Sequence, residues 1–410
     1  MRWIHAVSVA LTLAISARGA LAEPAWVSEP SPTTAQLYGV AHGDASTWIA
    51  VGDGGVILRS TDGGVVWSPV PSPVGDALRG VSLRGSLGIA AGIAGRIIRT
   101  TDGGAHWALA ARPTTRNLYA VSIGPTVAVV TGEEGQIFVS IDDGVNWTLH
   151  TAGTASTLFG VSVNGSTGVG VGGQGAIVMS TNAGAGWGLT VPGGALTFFY
   201  GTSFATPATG WVVGTASTVP SLIAKSTNSG FSWNEQTAPT AQTLTGVSFA
   251  VLDTGTAVGF AGTILHTDDG GATWTSQDSH TARNLNAVSF LDPLLGIAVG
   301  DTGIILRTTS GGLLGVGDAG EPAGFGFDVG PSAVLHGRAT IGFSIPAAGA
   351  VRLGLYDVSG ARVASLADAL MQTGHHALEL DCSTLPSGVY YCRLEYGGTW
   401  HTVRRVVALR

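Results

Sequence analysis

The stretch Ser60-Thr61-Asp62-Gly63-Gly64-Val65-Val66-Trp67 decides how this chain folds. It returns as Thr100-Thr101-Asp102-Gly103-Gly104-Ala105-His106-Trp107, and its variants end at Trp147, Trp187, Trp233 and Trp274. The six tryptophans stand 40, 40, 40, 46 and 41 residues apart. A period of about 40 residues, built from short apolar runs and turn residues, is the signature of a propeller blade. The turn residue is Asp62, Asp102, Asp142, Asn182, Asn228 or Asp269, with Ser310 in the last copy. An Asp or Asn side chain accepts hydrogen bonds from backbone N–H groups a few residues on, and the glycines that follow supply positive φ. Because Asn replaces Asp twice, these residues read as turn formers and not as catalytic acids or calcium ligands.

Working outward from the turn, each repeat holds a strand of the form Leu-x-Gly-Val-Ser-Phe, a short apolar strand ending in Val-Gly or Ala-Gly, a third strand after a tight turn, and a fourth at the tryptophan. First strands begin at Leu37, Leu78, Leu118, Leu158, Phe199, Leu244 and Leu285, which makes seven blades. The seventh stops at Gly311-Gly312 with no tryptophan. Trp26 precedes Leu37 by 11 residues, as Trp67 precedes Leu78. The segment at Trp26 is therefore expected to complete blade seven and close the ring, removing the free edges of an open array. An open solenoid would instead need capping repeats, and none is visible. The expected fold is all-β: a seven-bladed β-propeller closed by the N-terminal strand, followed by a small immunoglobulin-like β-sandwich.

Hydrophobic residues make up 45% of the 410, charged residues 11%, and there are 63 glycines, a balance that suits many short strands joined by tight turns. Net charge is −7, Lys225 is the single lysine and no basic tract exists, which argues against nucleic acid as a partner. Residues 1–22 read as a signal peptide: Arg2 and His5, an apolar core from Ala6 to Ile15, then Ala20-Leu21-Ala22 as cleavage site. That core, roughly 10 residues, is short of the ~20 that a membrane span requires. Loss of Arg2 and Arg18 takes the charge from −7 to −9. The mature chain holds no transmembrane segment on this reading and is expected in an extracellular, cell-surface or periplasmic setting.

The turns resemble the Asp-box motif, Ser/Thr-x-Asp-x-Gly-x-x-Trp, of sialidases, some xyloglucan hydrolases and non-enzymatic propellers. The longer pattern, from the Leu-x-Gly-Val-Ser strand to the Asp-Gly-Gly turn, is similar to the photosystem II assembly and stability factors of cyanobacteria and chloroplasts and their bacterial relatives, over Trp26 to Gly312. That resemblance implies a non-enzymatic scaffold that binds protein partners.

Catalysis on such a ring needs carboxylates near the channel, and none of the seven innermost strands carries Asp or Glu. A glycosidase would have to use the turn acids Asp53, Glu133, Glu134 and Asp301, which otherwise read as solvated turn residues. Nor is a cofactor motif visible. Two patterns bear on binding. One third-strand position holds Arg59, Arg99, Val139, Met179, Lys225, His266 and Arg307. The basic members could form a collar that docks an acidic partner, or each could lie over its own blade toward water. The position after the first-strand leucine holds Tyr38, Arg79, Tyr119, Phe159 and Tyr200, residues suited to gripping a peptide or sugar at a channel mouth, or to packing between blades.

Residues 313–330 read as a Gly-rich linker and 331–410 as the small sandwich. Leu355-Tyr356-Asp357-Val358-Ser359-Gly360, Leu385-Pro386-Ser387-Gly388-Val389-Tyr390-Tyr391 and the closing Arg404-Arg405-Val406-Val407-Ala408-Leu409-Arg410 resemble the C-terminal sorting domains of the type IX secretion pathway and the immunoglobulin-like domain of flagellar hook-capping proteins. This implies a role in export or surface attachment. Cys382 and Cys392, the only cysteines, are either a disulfide or two buried thiols. His375-His376 reads as a solvated turn or a metal site. The chain as a whole reads as an exported binding or assembly scaffold with unidentified protein partners. Two alternatives stand beside it, a photosystem II assembly factor in the strict sense and a secreted glycan-binding protein or glycosidase.

Overall fold

A computed structural model describes residues 25–191, 197–217, 219–312, 326–328, 334–335, 338–357, 362–382, 385–386, 388–397 and 400–408. The segment read as a signal peptide and most of the stretch read as a linker lie outside the described residues.

Seven four-stranded antiparallel sheets follow one another along the chain. Blade 1 consists of Leu37–His42, Trp48–Gly52, Ile57–Ser60 and Ser68–Pro69, and blades 2 to 6 repeat that order. Blade 7 takes Leu285–Phe290, Gly296–Gly300 and Ile305–Thr308 from one end of the propeller. Its fourth strand is Val27–Ser28, paired antiparallel with Ile305–Thr308 through Val27↔Arg307 and Ser28↔Leu306. Blade 1 also abuts blade 7: the Asn286 amide donates to the Leu37 carbonyl at 2.9 Å, and His42 meets Ser289 at 3.0 Å. In each blade the tryptophan stands just before the fourth strand, so Trp26 holds the same place relative to Val27 as Trp67 does to Ser68.

Second strands are apolar on both faces because each lies between two blades; Trp48–Gly52 and Gly296–Gly300 are buried throughout. The core is accordingly a series of clusters between neighbouring blades. One joins Leu37, Trp48 and Leu58 of blade 1 to Ile297, Val299 and Ile305 of blade 7. Inner strands crowd toward the axis, which explains the small residue in Leu-x-Gly: a Cβ on Gly80 would lie 2.9 Å from Ala120 Cα in the next blade.

The serine of Leu-x-Gly-Val-Ser has a task that its spacing alone does not disclose. Ser82 Oγ accepts from Ile123 N at 3.1 Å, Ser122 Oγ from Val163 N at 3.0 Å, and Ser248 Oγ from Phe290 N at 3.0 Å. Each hydroxyl ties its own inner strand to the next blade's, satisfying a backbone donor that faces a seam instead of a ladder.

Two further sheets lie beyond residue 325. Gly326–Asp328, Arg338–Ile345 and Gly374–Asp381 form one; Val334–Leu335, Trp400–Ala408, Gly388–Tyr396, Gly349–Asp357 and Arg362–Met371 form the other, in that order. Ile341, Phe343 and Ile345 of the first share one core with Val351, Leu353, Leu355 and Leu394 of the second. Cys382 and Cys392 are both buried in that core. Burial pushes the Cys392 thiol up to about 12, so it is unreactive at neutral pH. A thiol reagent is expected to label neither cysteine in the native protein and both after unfolding without reductant; no labelling of the unfolded chain would show a disulfide. His375 and His376 are held apart as separate contacts, to Ser344 Oγ at 3.2 Å and to the Gln372 carbonyl at 2.7 Å. Among the described residues no cluster of His, Cys, Asp and Glu is arranged to hold a metal ion.

Candidate functional site at the channel mouth

In all seven blades the register between first and second strands slips by one residue just after the opening leucine or phenylalanine. Such a bulge leaves one residue outside the ladder and re-aims its side chain. The residues so placed are Tyr38, Arg79, Tyr119, Phe159, Tyr200, Thr245 and Asn286, and all seven line one axial cavity of about 180 Å³. The five that stood out in the sequence are thus brought together. Thr245 and Asn286 complete the ring.

The cavity wall is uneven. Phe159 packs edge-on to Tyr119 with ring centroids 5.3 Å apart and tilted to Tyr200 at 5.6 Å, and Phe198 stacks on Tyr200 at 6.4 Å. Together these rings make an aromatic arc over blades 3 to 5. On the two preceding blades the Arg79 guanidinium lies over the Tyr38 ring, 3.8 Å from its centroid. Burial raises the Tyr38, Tyr119 and Tyr200 hydroxyl pKa values, so all three stay protonated and able to donate.

The four turn acids stand in the short 3-10 turns between second and third strands, and each has partners. Tyr38 Oη donates to Asp53 Oδ2 at 3.2 Å. Glu133 accepts from the Asn117 backbone N–H at 3.1 Å and its amide at 2.8 Å. Glu134 pairs with Arg116 at 2.6 Å. Asp301 accepts from the amides of Gln36 at 2.6 Å, Asn284 at 2.9 Å and Asn286 at 3.1 Å. These carboxylates fix turns and orient channel residues.

The Asp-box turns behave as their composition requires. Ser60 Oγ donates to Asp62 Oδ1 at 2.7 Å and accepts from Gly64 N at 2.9 Å; Asp62 Oδ1 also takes Val66 N at 3.0 Å, and Trp67 Nε1 donates to the Gly64 carbonyl at 2.9 Å. Asn182 and Asn228 reproduce the set with their amide oxygens, accepting Gly186 N and Ser232 N at 2.9 Å each, which is why Asn substitutes freely. The turns at Asp102 and Asp269 match as well. Hydrogen bonds from the Asn146 backbone, the Asn146 amide and the Ser140 hydroxyl hold the Asp142 carboxyl down to about 2. Trp107, Trp187 and Trp233 donate to their own turn glycines, Trp274 turns to Gln236, and Trp147 packs at the edge of the blade 2–3 cluster.

The basic collar is corrected by the structure. The five residues do share one register, but they point across the seam and not outward. Arg59 donates to the Gly103 carbonyl at 2.8 Å, Arg99 to that of Asp143 at 2.6 Å, Lys225 to that of Gly270 at 2.8 Å and Arg307 to that of Gly63 at 2.7 Å. Each acceptor belongs to the Asp-box turn of the next blade. His266 is only 3% exposed, near Thr256 and Gly311. The set is a circle of struts, with Val139 filling the same place by contact against Gly184.

Comparison with known proteins agrees with this geometry. The family described as "Photosynthesis system II assembly factor YCF48" matches residues 19–169 and 225–314, more than half of the chain. The chain belongs to this family. A second match, to the secretion system C-terminal sorting domain, covers residues 336–408 and marks the chain for export or the cell surface. Among solved structures, one titled "YCF48 bound to D1 peptide" superposes with a TM-score of 0.58 at 22% identity, covering 71% of this chain and 98% of the other. YCF48 from Cyanidioschyzon merolae gives a TM-score of 0.57 at 19% identity, covering 69% and 98%. A search of proteins of curated function finds no match.

The YCF48 pattern skips residues 170–224, and that stretch holds Phe198 and Tyr200. Part of the aromatic arc therefore sits where this chain departs from the family pattern. Among the described residues no helix is long and apolar enough to cross a membrane.

Proposed function

We propose that this YCF48-family chain is an exported, non-enzymatic scaffold that docks a segment of another protein at the mouth of its propeller channel. The bulge ring carries the proposal: seven blades each re-aim one side chain into the same cavity, and five of the seven are aromatic or arginine, residue types that dominate binding energy at protein interfaces. A relative of the same fold has been solved with a peptide bound. The turn carboxylates are held by amides, a hydroxyl and Arg116, an arrangement that supports a rigid frame more than acid–base chemistry. On this reading residues 23–312 are the binding ring, 313–330 a linker, and 331–410 an immunoglobulin-like unit that serves export or attachment.

The test is affinity capture from native envelope and culture fractions with the mature chain as bait and a Phe159→Ala/Tyr200→Ala variant beside it. A protein retained by the unmodified chain and lost from the variant is the expected outcome. Equal retention by both would remove the channel mouth as the docking site.

A further inference from the structure

We propose that the segment taken at the channel mouth is cationic, presenting an arginine or lysine to the arc of Tyr119, Phe159 and Tyr200. This rests on the docking reading above and adds the sign of the partner's charge.

The first support is the occupant that the channel already has. Arg79 lies flat over Tyr38 at 3.8 Å, so this wall has the geometry to hold a guanidinium on a ring face. On the next three blades the rings of Tyr119, Phe159 and Tyr200 stand within 5.6 Å of a neighbour, and among the described residues none of them carries a cation on its face.

The second support is the charge around those rings. Asp53 is bonded to Tyr38, and Asp301 to Asn286, both channel-lining residues. Glu133 stands close enough to Tyr119 to add, after burial, to the rise in its hydroxyl pKa, and it outweighs the opposing pull of Arg79 from the neighbouring blade. Against these three carboxylates the cavity wall offers only Arg79. Arg96 and Arg116, on nearby loops, are paired with Asp76 at 2.7 Å and Glu134 at 2.6 Å. An anion approaching Arg79 in blade 2 would come between Asp53 of blade 1 and Glu133 of blade 3. A cation approaching the arc meets π faces on one side and Glu133 on the other, in a chain whose net charge of −7 favours its approach from a distance.

The test uses the full mature chain and short fluorescent peptides of Gly-Arg, Gly-Gln and Gly-Glu repeats, read by anisotropy. The Gly-Arg peptide is expected to bind best, and to weaken as salt is raised. Phe159→Ala should weaken it by about tenfold, Phe159→Tyr should retain it, and Glu133→Gln, which keeps an acceptor for Asn117, should weaken it severalfold. Asp278→Asn, which removes a carboxylate paired with His280 away from the cavity wall, is expected to change nothing. Gly-Arg affinity indifferent to Phe159→Ala and Glu133→Gln would overturn the assignment, as it would show attraction to net charge alone. Preference for Gly-Glu would overturn the charge sign while leaving channel docking intact. Failure of all three peptides to bind would overturn both.

Discussion

Replacing Trp26 by alanine is expected to lower stability by about 3–5 kcal/mol, the range for truncating a buried tryptophan. Val27–Ser28 is a strand of two residues with two ladder pairs, too little to hold a sheet edge by itself. Trp26 supplies the rest. It is 1% exposed, meets Phe290 edge-to-face at 5.8 Å, and donates from Nε1 to Gln277 Oε1 of blade 6 at 2.8 Å. Its loss would free the strand and expose an unpaired edge on Ile305–Thr308, a template for association between chains. Urea unfolding should show the lower midpoint, and size-exclusion chromatography should show new oligomers. A loss below about 1 kcal/mol, within the range of ordinary substitutions, would mean that the seventh sheet does not depend on this anchor.

Gly300→Ala is the second large effect, expected at about 3 kcal/mol, the upper end for overpacking a filled site. A Cβ at Gly300 would lie 2.0 Å from the Asn284 carbonyl oxygen and 2.9 Å from Leu285 Cα, both backbone atoms that no rotamer change can move. The same carbonyl accepts from Asp301 N at 3.0 Å, so relief of the clash would displace the carboxylate that orients Asn286. The variant should therefore lose Gly-Arg affinity along with stability. Gly188→Ala, in open space on an outer strand, should stay within about 0.5 kcal/mol of the unmodified chain. Equal behaviour of the two variants would show that the inner turn yields more easily than its geometry indicates.

Much of this architecture could be read from residues alone, because the propeller writes its rules in local chemistry. The Asp-box turn closes within eight residues by contacts among Ser60, Asp62, Gly64 and Trp67, so its pattern and its structure are nearly the same statement. Contacts between blades were less legible. The register of Arg59, Arg99, Lys225, His266 and Arg307 was evident, yet the direction of their side chains depends on how one blade meets the next. Val139 and Met179 at the same position were the available hint, since apolar residues fit a seam and not a charged collar. The channel ring was partly visible through its aromatics. Thr245 and Asn286 were not, because a bulge breaks strand alternation without leaving a mark in composition. Ser82 and its counterparts looked like ordinary polar strand residues until the backbone N–H donors of the next blade were in place.

The pairing of Val27–Ser28 with Ile305–Thr308 also sets an order in time. The first of the described strands to be synthesised joins the last blade of the propeller. Until Thr308 has been made, Trp26 has no seventh sheet to enter, and the chain can hold at most six complete blades with an open edge at each end. Closing so long a loop adds little entropy beyond that of a shorter one, because the cost grows only logarithmically with length. What the connection imposes is a waiting period, during which two strand edges and a tryptophan remain available to other chains. A chain cut anywhere before that last strand would not be a smaller propeller; it would be an unclosed one, held permanently at the stage where aggregation competes with folding.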